Sequence, residues 1–272
     1  MRALLKSDLK RILKDKLFLI ACIIGSLMAI ATPLLYKLIL VITKLDAELL
    51  LGFLPLNGKS MFFNSFAAGN NFGLILPILV IIILCKDFSY GTVRNKIICG
   101  KSRVKILFSM FFSSTIVICG LMLMHSLLTL AVASCFFTYQ SEEFCFNTVL
   151  YALLSTLFSL LIYVFISAMV CLLSVLMKNS GIAVVIYVAM ALLFTILGGV
   201  VSAAALINAL FQKLPQQIFE ILTKINLFNA TYIGQGITYS PTEVICFVAS
   251  FLVCTALTLG LSVVVFRKKD LK

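Results

Sequence analysis

The sequence predicts an all-α membrane protein with six transmembrane helices in one domain of residues 1–272. Its composition is the first observation: 62% of the residues are hydrophobic and the mean hydropathy is +1.16, whereas a soluble domain is nearer half apolar. The second is that the apolar residues form six long runs, each able to cross a hydrocarbon core of about 30 Å at about 1.5 Å per residue. Lipid is therefore the expected solvent for most of this chain.

The six runs share a near absence of charged side chains in their interiors. The predicted spans are residues 17–35, 66–85, 106–137, 147–177, 181–205 and 243–266. The third and fourth runs exceed the length that a span needs, so we expect them to tilt or to project past the bilayer. His125 is the one ionisable candidate inside the spans, and a lone histidine there is typical of a neutral, hydrogen-bonded packing residue.

The positions of the cations predict the orientation. Of the 22 Lys and Arg residues, six precede the first span, six lie between the second and third spans, one lies between the fourth and fifth, and four follow the sixth. The remaining five lie in the other loops. Because cytoplasmic loops carry the excess of Lys and Arg, the rule predicts a multi-pass protein of the cell membrane with both termini cytoplasmic. The net charge of +12 does not indicate nucleic-acid binding, since the cations form no solvated basic domain.

The segment before the first span has helical periodicity with one apolar stripe. The stripe contains Leu4, Leu5, Leu9, Ile12 and Leu13. The basic face contains Arg2, Lys6, Lys10, Arg11 and Lys14. This pattern predicts an N-terminal amphipathic helix in the membrane interface, among anionic lipid headgroups. The alternative is a plain basic flank of the first span.

Residues 86–105, KDFSYGTVRNKIICGKSRVK, form a polar and basic island between spans 2 and 3. Thr92 can cap a helix that starts at Val93, because its hydroxyl reaches an unpaired backbone amide. Gly100 suits the left-handed residue after a helix end, and Ser102 can cap the helix that enters the third span. The island therefore predicts a short cytoplasmic helix of about two turns. The alternative is a stop-transfer flank that only obeys the charge rule.

No motif predicts an active site, a cofactor or a metal. The Gly-Lys-Ser triplets at 58–60 and 100–102 lack the glycine five positions earlier that a phosphate-binding loop needs, so we do not expect the chain to bind ATP or to be an enzyme by itself. The nine cysteines include no Cys-x-x-Cys pair. Cys135 and Cys145 flank a short loop and are expected to be free thiols, with a disulfide as the alternative.

The island also contains a recognisable pattern. In order, its residues are Asp87, Phe88, Gly91, Thr92 and Arg94, followed by Gly100, Ser102 and Arg103. This pattern resembles the loop after the second span in permeases of the ABC-2 class, the membrane subunits of ATP-binding-cassette exporters. The similarity extends to the basic first helix, the six spans and the cytoplasmic termini. One departure is the aspartate at position 87, where that family often has glutamate.

The resemblance implies that the island is a coupling helix, which contacts a separate ATPase subunit and passes its movement to the spans. It implies a pair of membrane subunits, either two copies of this chain or this chain and a paralogue. Asp87 and Arg94 are then candidates for polar contacts with the ATPase, and Phe88, Thr92 and Ser102 lie in the same segment. Gly91 and Gly100 would set the backbone shape. Arg103 would contact the partner or a lipid phosphate.

Two other function classes compete with an exporter of apolar or amphipathic substrates. The first is a membrane scaffold or sensor that transports nothing. The second is an ion-coupled carrier, which the nearly charge-free spans disfavour because such carriers use ionisable groups in the membrane. Small residues spaced four apart at 198 and 202, and at 199 and 203, favour close helix packing, either within the subunit or at a dimer seam.

Overall fold

The computed structural model describes residues 1–43, 57–68, 71–138, 146–177, 179–211 and 241–269, and these ranges contain helices and no strand. Nine helices lie in the described ranges. They are α1 Arg2–Lys14, α2 Lys16–Thr43, α3 Gly58–Asn64, α4 Asn71–Ser89, α5 Thr92–Ile98, α6 Arg103–Phe136, α7 Phe146–Leu176, α8 Ser180–Phe211 and α9 Pro241–Lys268.

Six of these helices are long and apolar enough to cross a membrane. The stretches that qualify are Lys16–Ile42, Phe72–Ser89, Arg103–Phe136, Ala152–Leu176, Ser180–Leu197 and Phe247–Lys268. The prediction of an all-helical chain with six apolar spans is therefore confirmed.

The bounds of the first two spans differ from the prediction. Helix α2 runs to Thr43, eight residues past the expected end, and includes Pro33. The expected end was placed before Tyr36 and Lys37, but residues 38–42 are again apolar, so the stretch that could cross a membrane continues to Ile42. Helix α4 begins at Asn71 instead of residue 66, because residues 65–68 form turns before it.

Helix α3 lies in a segment that was predicted to be a loop. Its start is fixed by Asn57, whose side-chain oxygen accepts a hydrogen bond of 2.7 Å from the Ser60 amide. Asparagine is among the preferred residues at this position because it satisfies an amide that has no partner within the helix. The first Gly-Lys-Ser triplet thus forms the first turn of α3.

Helix α7 lies at the centre of the bundle. It packs against α4, α6, α8 and α9, and 72% of its apolar stretch is buried. The corresponding share is 22% for α2 and 17% for both α8 and α9. The outward faces of these three helices are thus the main apolar surface of the subunit.

A close approach between the start of α4 and α7 fixes the centre of the bundle. The buried Tyr163 hydroxyl donates a hydrogen bond of 3.0 Å to the Phe66 carbonyl. A Cβ atom at Gly73 would lie 2.2 Å from the Ala67 carbonyl oxygen and 2.6 Å from the Tyr163 hydroxyl. Only glycine fits at this position without displacing the backbone.

Helix α1 packs against α2 and α6. Its apolar stripe is divided between protein and surroundings: Ile12 is fully buried and Leu4 and Leu9 pack on the core, whereas Leu13 is 47% exposed. Part of the stripe that was expected to enter lipid therefore contacts other helices of the same chain.

Candidate functional site

Within the island, two glycines with left-handed backbone conformations flank α5. Gly91 has φ +69° and separates α4 from α5, and Gly100 has φ +78° directly after α5. Past the end of α5, the Gly100 amide donates to the Ile97 carbonyl at 2.9 Å and the Lys101 amide to the Lys96 carbonyl at 3.2 Å, which is the Schellman arrangement. A Cβ atom at either glycine would meet nothing within 4 Å, so backbone conformation, not space, requires glycine.

The predicted caps of the island differ in part from the structure. Helix α5 begins at Thr92 itself, the capping position is Gly91, and no side chain caps this end. The prediction that Thr92 caps a helix from Val93 was therefore wrong, because the left-handed Gly91 already turns the chain into the helix. Ser102 does occupy the capping position of α6, but its hydroxyl makes no capping bond.

Asp8 of α1 is the most deeply buried charge at this end of the molecule, with 1% of its surface exposed. It pairs with Lys96 of α5 and accepts a hydrogen bond of 2.6 Å from the Ser109 hydroxyl of α6. The Lys96 side chain is only 12% exposed. Because a buried carboxylate is costly unless it is paired and hydrogen-bonded, this contact holds three helices at one point.

Asp87, near the end of α4, pairs with Arg11 of α1 and is 4% exposed. The resemblance suggested Asp87 and Arg94 as contacts with a partner. The structure places Asp87 in an internal pair that attaches α1 to α4, whereas Arg94 is exposed on α5.

Asp15, between α1 and α2, forms the third pair. Both of its oxygens lie close to Lys86 Nζ, at 3.2 and 3.1 Å, and one accepts a bond of 2.9 Å from the Leu17 amide. Burial raises the pKa of the Asp15 carboxyl, but the Leu17 amide and the Lys86 ammonium outweigh this effect, so the pKa lies below its ordinary value. Asp15 is therefore ionised at neutral pH.

These pairs attach the first helix and the residue that follows it to the start of the island and to α5. We call them the N-terminal clamp, which consists of Asp8–Lys96, Arg11–Asp87 and Asp15–Lys86. The clamp fixes the orientation of α5 relative to α1, α4 and α6.

The opposite side of the island remains open. Tyr90 is 77% exposed and Ile98 is 72% exposed. Arg94 and Cys99 are exposed beside them, and Cys99 is a free thiol. We call the surface formed by Tyr90, Arg94, Ile98 and Cys99 the exposed face of the island. It combines large apolar side chains with a cation, which is typical of a protein-binding surface.

The other predicted site residues have mixed positions. Phe88 is half-buried and meets Phe266 of α9 edge-on, with ring centroids 6.1 Å apart. Ser102 is exposed. Arg103 donates hydrogen bonds to backbone carbonyls at the end of α9, and the nearest, of Lys269, is 2.7 Å away. The structure therefore brings Phe88 and Arg103 to the end of α9 and leaves Arg94 and Ser102 facing outward.

Sequence reasoning missed Asp8 and Asp15, two of the three carboxylates of the clamp, although Asp87 was among the predicted site residues. Asp8 and Asp15 are seven residues apart and Arg11 lies between them, so all three share one face of a helix. This face was a usable signal, because carboxylates among so many cations indicate local pairing. The identity of the partners was not accessible from periodicity, since they are 71–88 residues away in the chain.

His125 is 3% exposed, its Nδ1 lies 2.9 Å from the Gly25 carbonyl oxygen, and its ring packs on Phe72 at 4.9 Å. This agrees with its interpretation as a hydrogen-bonded packing residue.

Cys135 is exposed and free, and Cys145 lies outside the described residues. The side chains of residues 198–211, which include the proposed seam, also lie outside the described part of the chain.

No family model matches the chain, and no curated protein matches it. The similarity to ABC-2 permeases therefore depends on the pattern of the island and on the arrangement of the spans.

Proposed function

We propose that this chain is the membrane-spanning permease subunit of an ABC-2-type exporter. It couples ATP hydrolysis by a separate ATPase subunit to the export of an apolar or amphipathic substrate. It resides in the cell membrane with both termini cytoplasmic, and it works as a pair with a second copy or a paralogue. Helix α1 lies at the membrane interface, with its basic face among lipid headgroups.

The observation that carries this proposal is the exposed face of the island. Tyr90, in the turn before α5, and Ile98, the last residue of α5, remain largely exposed although the N-terminal clamp holds both the end of α4 and α5. Large apolar side chains held rigidly in an exposed position support a docking partner, because a preorganised surface loses little conformational entropy on binding. The pattern of the island assigns that partner to the ATPase class.

The spans support the class of substrate. Their charged residues lie mainly near the helix ends, and the buried His125 is hydrogen-bonded to a backbone carbonyl. A pathway between two such subunits is lined by apolar and hydroxyl side chains and favours a substrate with little charge. A scaffold or sensor would have the same six spans but would not depend on ATPase activity.

Copurification with a charge reversal tests the proposal. The tagged chain, extracted from its native membrane in mild detergent, should bring down an ATPase. Arg94→Glu should lower the recovered ATPase about tenfold, which corresponds to about 1.4 kcal/mol of binding free energy. Lys37→Glu is the matched control, because Lys37 is also exposed but lies near the opposite end of the spans. Absence of any ATPase from the wild-type preparation would refute the proposal.

A further inference from the structure

Arg103 is the last residue of the island pattern, and its position differs from that of a partner contact. Its Nη1 donates hydrogen bonds to three backbone carbonyls at the end of α9. They belong to Phe266 at 3.1 Å, Arg267 at 3.0 Å and Lys269 at 2.7 Å. The residue therefore joins the first turn of α6 to the last turn of the sixth span, 163–166 positions later in the chain.

The chemistry of a helix end explains this contact. The last four carbonyls of a helix lack partners within it, and the helix dipole makes that end negative. All three contacts start from Nη1, which has two N–H donors, so at least one N–H is shared between two carbonyls. Since the acceptors are backbone carbonyls, these bonds fix the position of the end of α9 and do not depend on its side chains.

Lys269 makes a second link of the same kind. Its ammonium donates to the Val175 carbonyl, in the last turn of α7. It also lies 5.0 Å from the centre of the Phe88 ring, and Phe88 in turn packs edge-on against Phe266. The residue that follows α9 thus connects the ends of α4 and α7.

We infer that Arg103 and Lys269 are positioning residues that transmit displacement of the island to the fourth and sixth spans. Arg103 follows Gly100 by only three residues, so movement of α5 is applied directly to the end of α9. Lys269 then carries it to α7, the most buried span. This inference rests on the proposed function for its source of movement, but the mechanical link itself does not.

The link can be measured without any partner. Spin labels at Cys99 and at Lys268→Cys, with the other cysteines replaced by serine, report the distance between the island and the end of α9 in the full chain in nanodiscs. A narrow distance distribution is expected with Arg103 present. Arg103→Gln should broaden it, and Arg103→Lys should restore part of the order because it keeps the charge. An unchanged distribution in Arg103→Gln would overturn the inference.

Lys105→Gln is the matched control, since Lys105 is exposed two residues further along α6 and its loss should leave the distribution narrow. A second measurement uses the complex with its ATPase. Arg103→Gln should keep ATPase binding and ATP hydrolysis within about twofold of wild type but lose at least tenfold in transport. Equal transport by wild type and variant would overturn the inference. If Arg103→Gln broadens the spin-label distance distribution but no ATPase copurifies with the wild-type chain, only the proposed function is refuted.

Discussion

The N-terminal clamp provides a test in which two Asp–Lys ion pairs differ strongly in burial. Asp8–Lys96 is almost inaccessible to solvent, with side chains 1% and 12% exposed, whereas the side chains of Asp15–Lys86 are 21% and 34% exposed. Both join α1 or its end to the island, and both pair an aspartate with a lysine. Their energies should nevertheless differ severalfold, because solvent screens the second pair.

The expected magnitudes follow from this difference. Removing one partner of a buried pair leaves an uncompensated charge and costs about 3–5 kcal/mol, so Asp8→Asn should destabilise the protein by that amount. Exposed pairs contribute about 0.2–1 kcal/mol, so Asp15→Asn should remain near 1 kcal/mol or below. Removing the second partner as well, in Asp8→Asn with Lys96→Met, should recover part of the loss.

The assay is unfolding of the purified chain in mixed micelles of mild and denaturing detergent, followed by the loss of helical circular dichroism. Double-mutant cycles give a coupling energy for each pair. We expect a value above about 2 kcal/mol for Asp8–Lys96 and below about 1 kcal/mol for Asp15–Lys86. Equal coupling energies would show that Asp8 is solvated in the folded protein, which would refute the argument from burial.

Two further predictions concern the spans and the orientation. Gly73→Ala places a Cβ atom 2.2 Å from the Ala67 carbonyl oxygen and should destabilise the chain by about 1–3 kcal/mol through overpacking. Gly120→Ala, inside α6 with nothing within 4 Å of the new Cβ atom, should be neutral or stabilise the chain by up to about 1 kcal/mol in the same micelle titration, and equal losses for the two variants would contradict the packing. In intact cells, a membrane-impermeant maleimide should label Cys135 and not Cys99, which should react only after permeabilisation, as read by peptide mass spectrometry. Labelling of Cys99 from outside would reverse the orientation.

The spans were predictable because long apolar runs depend on a local property, the cost of exposing polar backbone and charge to lipid. The ends were less predictable for the same reason. Helix α2 continues through Lys37 to Thr43, since residues 38–42 are apolar and extend the run past that single cation. Helix α3 had a local signal in Asn57, but a single capping residue without an amphipathic run is weak.

The candidate site was predictable in its backbone and not in its contacts. Gly91 and Gly100 were expected to shape the chain, and both adopt left-handed conformations. The partners of Asp87 and Arg103 depend on how helices that are distant in the sequence pack. Because α1 and α9 lie at opposite ends of the chain, only the three-dimensional structure shows that both meet the island.

The clamp also constrains the order in which the helices can pack during synthesis. Asp8 and Lys96 are 88 residues apart, and a ribosome adds about 5–20 residues per second, so roughly 4–18 s pass before the carboxylate can meet its partner. During that time Asp8 cannot be buried without a large penalty, so the face of α1 that carries Asp8 has to stay hydrated. Helix α1 can therefore reach its final position only after α4 and the island have been synthesised.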